Sequence, residues 1–290
     1  MKKLGLATAL LLAVTGAQAY QFEVQGQSEF IDNTVNDKDF TGAVQGTYYF
    51  KNVDASKGPL AEAAFLNQAS NVSASYTYGE YDVDGIANQT SHTFGAKGEA
   101  YIPTSLVPAY ASASYSHTIT DGKDGQQDDE GDRYALELGA LVAPNFLVAV
   151  GYTSVADQVS YDAFNSFNNG VAKSAIETNT IAQDQDAITA RTKYVGAIDG
   201  TNMSIAFDAG LVYGEESAYN LGTTLYVTPK LGVGVSYLES DLGNLDQAIG
   251  ANINYFITPA VAVGASFVDV NDKVGSNDTQ TVGLNAKFRF

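Results

Sequence analysis

The chain has no cysteine and no tryptophan, only six prolines and two histidines. Without cysteine, a disulfide framework and every thiolate metal site are excluded. Charge is scarce too: 17% of residues are charged, against about 25% in ordinary globular domains. Most of that charge is of one sign, 33 acidic against 15 basic residues and a net −18. A nucleic-acid partner needs a basic surface and is therefore excluded. Beyond residue 19, no apolar run reaches the roughly eighteen residues of a membrane helix.

The first nineteen residues read as a segment to be removed. "MKK" is a short basic start, "LGLATALLLAVTG" is apolar but too short to span a bilayer, and "AQA" is a small-x-small cleavage site. Residues 1–19 are expected to form a secretory signal peptide cut before Tyr20. Residues 20–290 remain as one domain, with 13 basic and 33 acidic residues and a net −20.

What is abundant is glycine (28), tyrosine (18) and phenylalanine (14). The apolar residues come in alternation. Val282, Leu284, Ala286, Phe288 and Phe290 share one parity, and Thr281, Gly283, Asn285, Lys287 and Arg289 the other. Successive side chains of a strand point to opposite faces, so this rhythm makes one apolar and one polar face. The same split recurs in "AVAVGASF", "KLGVGVSY", "DRYALELGALV", "TARTKYVGAI" and "HTFGAKGEAYI".

Pro103, Pro144, Pro229 and Pro259 each follow such a run and mark short turns, since proline cannot donate to a ladder. At the other ends of the hairpins lie polar stretches, "NDKD", "DGKDGQQDDEGD" and residues 157–186. Short turns on one side and long loops on the other fit an outer-membrane barrel. The pattern predicts an all-β chain of fourteen antiparallel transmembrane strands, near 20–31, 40–50, 70–83, 90–102, 108–120, 132–143, 145–156, 187–198, 202–214, 218–228, 230–240, 245–257, 259–270 and 278–290. An even count returns both termini to the short-turn, periplasmic side. "PLAEAAFLN" (59–67) is the one helix-like stretch and falls in the first short-turn connection.

Energetics assigns the faces. A Lys or Arg facing lipid at mid-depth costs about 2–4 kcal/mol. The charged parity therefore faces a wet lumen and the apolar parity faces lipid. The expected lining comprises Glu23, Lys97, Glu99, Arg133, Glu137, Arg191, Lys193, Asp208, Lys287 and Arg289. Outward aromatics near strand ends suit interfacial girdles: Tyr48, Phe50, Tyr255 and Phe288 below, and Tyr76, Tyr115, Tyr152, Tyr213 and Tyr237 above.

With these residues in view, "AYQFEVQGQSEF", "GTYYFKNVD", "KGPLAEAAFLNQAS" and "AKFRF" give the chain a resemblance. It resembles the putative porin family of Gram-negative outer membranes, and is most similar to its small Acinetobacter-type outer-membrane porins. The likeness implies a monomeric fourteen-stranded barrel that passes water and small solutes. The terminal Phe288 and Phe290 likewise resemble the signal read by barrel-assembly machinery.

The expected function is a passive, water-filled channel for small hydrophilic solutes and ions, narrowed by loop 157–186. Its expected surroundings are outer-membrane lipid and lipopolysaccharide, with no cofactor and no metal. Two other classes remain open. One is an adhesin or host-interaction barrel acting through its loops. The other is a barrel enzyme using His92 and His117, which should meet near the extracellular rim. Both histidines share parity with Phe94 and Tyr115 and should point outward, and no orienting aspartate is identifiable. No catalytic residue is therefore assigned.

Overall fold

In a computed structural model the chain forms a closed barrel of fourteen antiparallel strands. The structure describes residues 19–33, 36–83, 87–123, 127–158, 160–165, 167, 180–181, 184–241, 245–272 and 279–290. The expected signal peptide, apart from Ala19, lies outside them. The strands are β1 (Ala19–Asn33), β2 (Asn36–Asp54), β3 (Asn71–Val83), β4 (Ala87–Ile102), β5 (Ala109–Gly122), β6 (Asp129–Ala143) and β7 (Phe146–Asp157). They continue with β8 (Asp186–Ala197), β9 (Ser204–Tyr213), β10 (Ser217–Thr228), β11 (Leu231–Ser240), β12 (Leu245–Thr258), β13 (Val261–Asp272) and β14 (Thr279–Arg289).

Every strand pairs with its sequence neighbour, and β1 pairs with β14 to close the sheet. Closure removes the free edges that lipid could not satisfy. At the seam Phe22 N–H donates to Phe290 C=O at 2.8 Å, and Phe290 N–H donates back to Phe22 C=O at 2.9 Å. The two rings stack with centroids 5.6 Å apart. Phe290 thus continues the seam's hydrogen bonding one residue past the end of β14.

Alternation sorts the side chains as the period of two requires. On β14, Leu284 is 58% exposed while Arg289 is 2% exposed. Phe50, Tyr152, Tyr213 and Tyr255 are likewise exposed on the outside. The strands outlast their expected bounds. "NDKD" is not a loop: residues 36–39 belong to β2, because pairing with β1 continues to Asn33↔Asn36. Asp121 and Gly122 continue β5, and Asp129–Asp132 open β6.

The connections also depart from a clean short-side, long-side division. Residues 55–70, on the side that carries both termini, are longer than the neighbouring turns at 144–145, 229–230 and 259–260. They hold a 3-10 turn (Leu60–Glu62) that runs into one helical turn, α1 (Ala63–Leu66). α1 stops in a Schellman motif: Gln68 N–H donates to Phe65 C=O and Ala69 N–H to Ala64 C=O, with Gln68 in the left-handed region at φ 50°. This segment folds into the barrel instead of spanning two strand ends.

Candidate functional site

The inward segment 55–70 acts as a plug because its apolar residues reach several walls. Ala63 and Ala69 join Tyr20, Tyr49 and Val53 of β1 and β2 in one buried cluster. Phe65 belongs to another with Tyr110, Leu141, Leu147, Val195 and Tyr226, which come from β5 to β10. Leu60 packs in a third with Phe256 and Ala262 of β12 and β13. A short segment that buries residues against nearly the whole circumference lies across the terminus end of the lumen.

Polar contacts hold it there. Leu60 N–H donates to Pro229 C=O at 2.8 Å, and Leu60 C=O accepts from Arg289 Nη1 at 2.8 Å. Glu62 is the one carboxylate on the plug's inner turn. It meets Lys193 Nζ at 2.8 Å and accepts the Tyr226 hydroxyl at 2.6 Å. Burial disfavours the Glu62 anion, but the Lys193 ammonium and the two hydrogen bonds outweigh it and hold the carboxyl below the usual range.

Among the cavities of the described lumen, two lie above the plug. The larger, about 470 Å³, is lined by Lys97, Arg133, Glu137, Arg191, Lys193, Asp208 and Lys287. The smaller, about 310 Å³, is lined by Glu23 and Glu99 and again by Lys97, Arg191 and Lys193. Arg289 departs from its expected place on the water-filled wall. It faces inward but is sealed under the plug, with its guanidinium 4.5 Å from the Tyr20 ring and 4.7 Å from the Phe256 ring. Glu23 joins it at 2.6 Å and Lys287 at 3.0 Å.

Two more lumen cations are paired as well. Arg191 forms a bidentate pair with Glu137 at 2.6 and 2.9 Å, and Lys97 lies 3.3 Å from Glu99. Asp208 stands opposite Lys193 in register. Pairing of this kind costs desolvation but leaves no isolated buried charge.

From the opposite end, part of the 158–185 connection lies against the inner wall. Ser160 Oγ is 3.0 Å from Thr118 Oγ1, and Ala163 N–H donates to Ser116 Oγ at 3.4 Å. Phe164 and Asn165 line the smaller cavity from above, while Phe65 and Ala69 line it from the plug side. On the far wall Thr180 Oγ1 is 3.0 Å from Ser240 Oγ.

The two histidines do not form one site. Cross-strand pairing sets His92 opposite Ile119 and His117 opposite Phe94, so the rings are offset diagonally. Both point outward. His92 Nδ1 pairs with the Tyr76 hydroxyl at 2.8 Å, and His117 Nδ1 with Asp132 at 2.8 Å. Asp132 also accepts the Tyr115 hydroxyl at 2.6 Å. Asp132 thus orients one imidazole, a partner the sequence did not reveal. Among the described residues no group of three or more His, Cys, Asp or Glu could hold a metal ion. Of the acidic stretch 121–132, Asp124 lies outside the described residues.

A closed barrel with an apolar outside, a polar lumen and a plug at the terminus end is the architecture of a membrane channel. The family profile of putative general bacterial porins matches residues 1–290. The chain belongs to that family. This porin is similar to the outer membrane protein Omp33 of Acinetobacter baumannii, with 54% identity over 95% of this chain and 100% of that one, at a TM-score of 0.73. It shares its fold alone with two distant channels. One is the monoaromatic hydrocarbon channel CymD, at 9% identity, 94% and 89% coverage and a TM-score of 0.56. The other is the P. putida toluene transporter TodX, at 9% identity, 95% and 91% coverage and a TM-score of 0.50. No curated protein sequence matches. The porin is an outer-membrane channel.

Proposed function

We propose that this porin is a passive, water-filled channel for small hydrophilic solutes and ions, throttled from both ends. The observation that carries the reading is the lumen itself: paired Lys, Arg, Glu and Asp side chains surround two cavities inside an apolar shell. Wet, polar interiors are what diffusion through a barrel requires. At the periplasmic end the plug sets the resting passage, with Glu62 latched to Lys193 and Tyr226. At the extracellular end the segment around Ser160–Asn165 narrows the bore.

The protein is exported through residues 1–19, is assembled by the barrel machinery that reads Phe288 and Phe290, and works as a monomer in lipid and lipopolysaccharide. It catalyses no reaction. Planar-bilayer recording tests the reading. Replacing residues 158–185 by a short turn is expected to raise single-channel conductance; an unchanged conductance contradicts the role given to that segment. A purified barrel that never conducts shifts the reading to an adhesin.

A further inference from the structure

The larger cavity has two chemically different sides. On one, Arg133 stands with Lys97, Glu137, Arg191 and Lys193, and the last four are each tied to an opposite charge by a contact of 3.3 Å or less. On the other, strands β9 to β14 carry Asp208 and Lys287, the latter 3.0 Å from Glu23, and beside them uncharged amides set against glycine. Asn220 is opposite Gly210, Asn252 opposite Gly234, and Asn285 opposite Gly264.

These pairings are close. A Cβ on Gly234 would lie 2.8 Å from Asn252 Oδ1, one on Gly264 2.7 Å from Asn285 Oδ1, and one on Gly210 2.9 Å from the Asn220 amide. Each amide therefore lies flat over a glycine of the next strand. The arrangement needs a residue without Cβ, and it keeps the amides along the wall and out of the bore. Asn220, Asn252 and Asn285 all line the same cavity.

The two sides call for one class of solute. A paired charge offers an ion attraction from one member and repulsion from the other, so its net pull on an ionic solute is small. A side-chain amide carries two donors and an acceptor, which matches hydroxyl groups that also donate and accept. The volume of about 470 Å³ falls within the roughly 300–1,000 Å³ of small-molecule sites. We propose that the amide-over-glycine wall is a subsite for uncharged polyhydroxylated solutes of sugar or polyol size. Such a solute exchanges water for amide partners along β9 to β14, while the paired charges opposite exclude neither sign and reward neither. The subsite rests on the channel reading for access, but its binding chemistry is separately measurable.

The test uses sorbitol, gluconate and glucosamine, near-equal in size and respectively neutral, anionic and cationic. Swelling of liposomes holding the wild-type porin is expected to be fastest with sorbitol and to saturate with it. The near-isosteric double variant Asn252→Leu/Asn285→Leu, checked for folding by heat-modifiable mobility, is expected to lose about tenfold of the sorbitol rate. Its potassium chloride conductance should stay within about twofold of wild type, because bulk ions do not depend on two amides.

Equal rates for the three solutes, or a parallel fall in sorbitol flux and conductance, overturn the subsite. If the wild type neither swells nor conducts, the channel reading fails. Saturation-transfer NMR with sorbitol in detergent then decides the subsite by itself. Sorbitol contact that the double variant abolishes upholds it; no contact, or contact unaffected by the variant, refutes it.

Discussion

Glu62 and Lys193 meet 2.8 Å apart inside the barrel, one from the β2–β3 connection and the other from β8. No strand pairing brings them together; only the inward fold of the plug does. Tyr226 adds a hydroxyl to the same carboxylate from β10. The latch thus ties one short segment to two strands on the far wall.

Breaking this latch should loosen the plug without unfolding the barrel. Glu62→Gln keeps the shape but leaves Lys193 without its counter-charge, weakening plug docking by about 1–3 kcal/mol. Single-channel records are expected to show a higher open probability, and hydrogen exchange should rise in residues 55–70 with the strands still protected. Swapping the charges, Glu62→Lys with Lys193→Glu, should restore part of the effect. No change in open probability would remove the latch from the account.

Acid should do the same to the wild type. The Glu62 carboxyl is held below its ordinary range, so the ionised latch contributes fully above about pH 4.3 and is lost as the pH falls through the lowered value. Open probability is expected to stay level from neutrality down to the ordinary carboxylate range and to climb below it. Glu62→Gln should lack that climb. Opening that begins near neutrality points to other groups.

The last strand is where assembly should be most sensitive. Removing Phe290 deletes its two hydrogen bonds with Phe22, a third from Gln21 N–H at 3.1 Å, and the ring stack at the seam. The fraction of heat-modifiable barrel recovered from membranes is expected to fall, while barrels that do assemble conduct as wild type. A normal yield with altered conductance would contradict a sealing role.

The orientation of the wall can be checked on neighbouring residues of β13. Phe267 faces outward, 41% exposed, and Ser266 lines the larger cavity. Phe267→Lys should lower unfolding stability in lipid by up to about 2–4 kcal/mol, depending on its depth, whereas a Lys at an inward site is tolerated. Urea titration of Phe267→Lys and Ser266→Lys in vesicles measures both. Equal losses would undo the assignment of faces.

The barrel was legible in the sequence because a strand's period of two writes its two faces directly into residue order, as in Val282 to Phe290. The strands ran past their expected ends at "NDKD" because ladder pairing, not polarity, sets where β2 begins. The plug was legible only as a helix-like stretch. Its inward fold depends on Lys193, Tyr226 and Arg289, which lie far along the chain and carry no local mark of it. A clue was present: Leu60 and Phe65 are large apolar residues in a connection that a surface turn would make polar. Arg289 misled for the same reason, since parity gave its direction but not the segment that covers it. The pairing of His117 with Asp132 was hidden likewise, being a contact between β5 and β6.

The central claim is that a conducting lumen is closed at the periplasmic end by residues 55–70. Single-channel conductance in planar bilayers, comparing the wild type with a variant whose residues 55–70 are replaced by a short turn, tests it most directly. The account predicts small or infrequent openings for the wild type and larger, persistent ones for the variant. A folded variant with wild-type conductance, or with none at all, would contradict it.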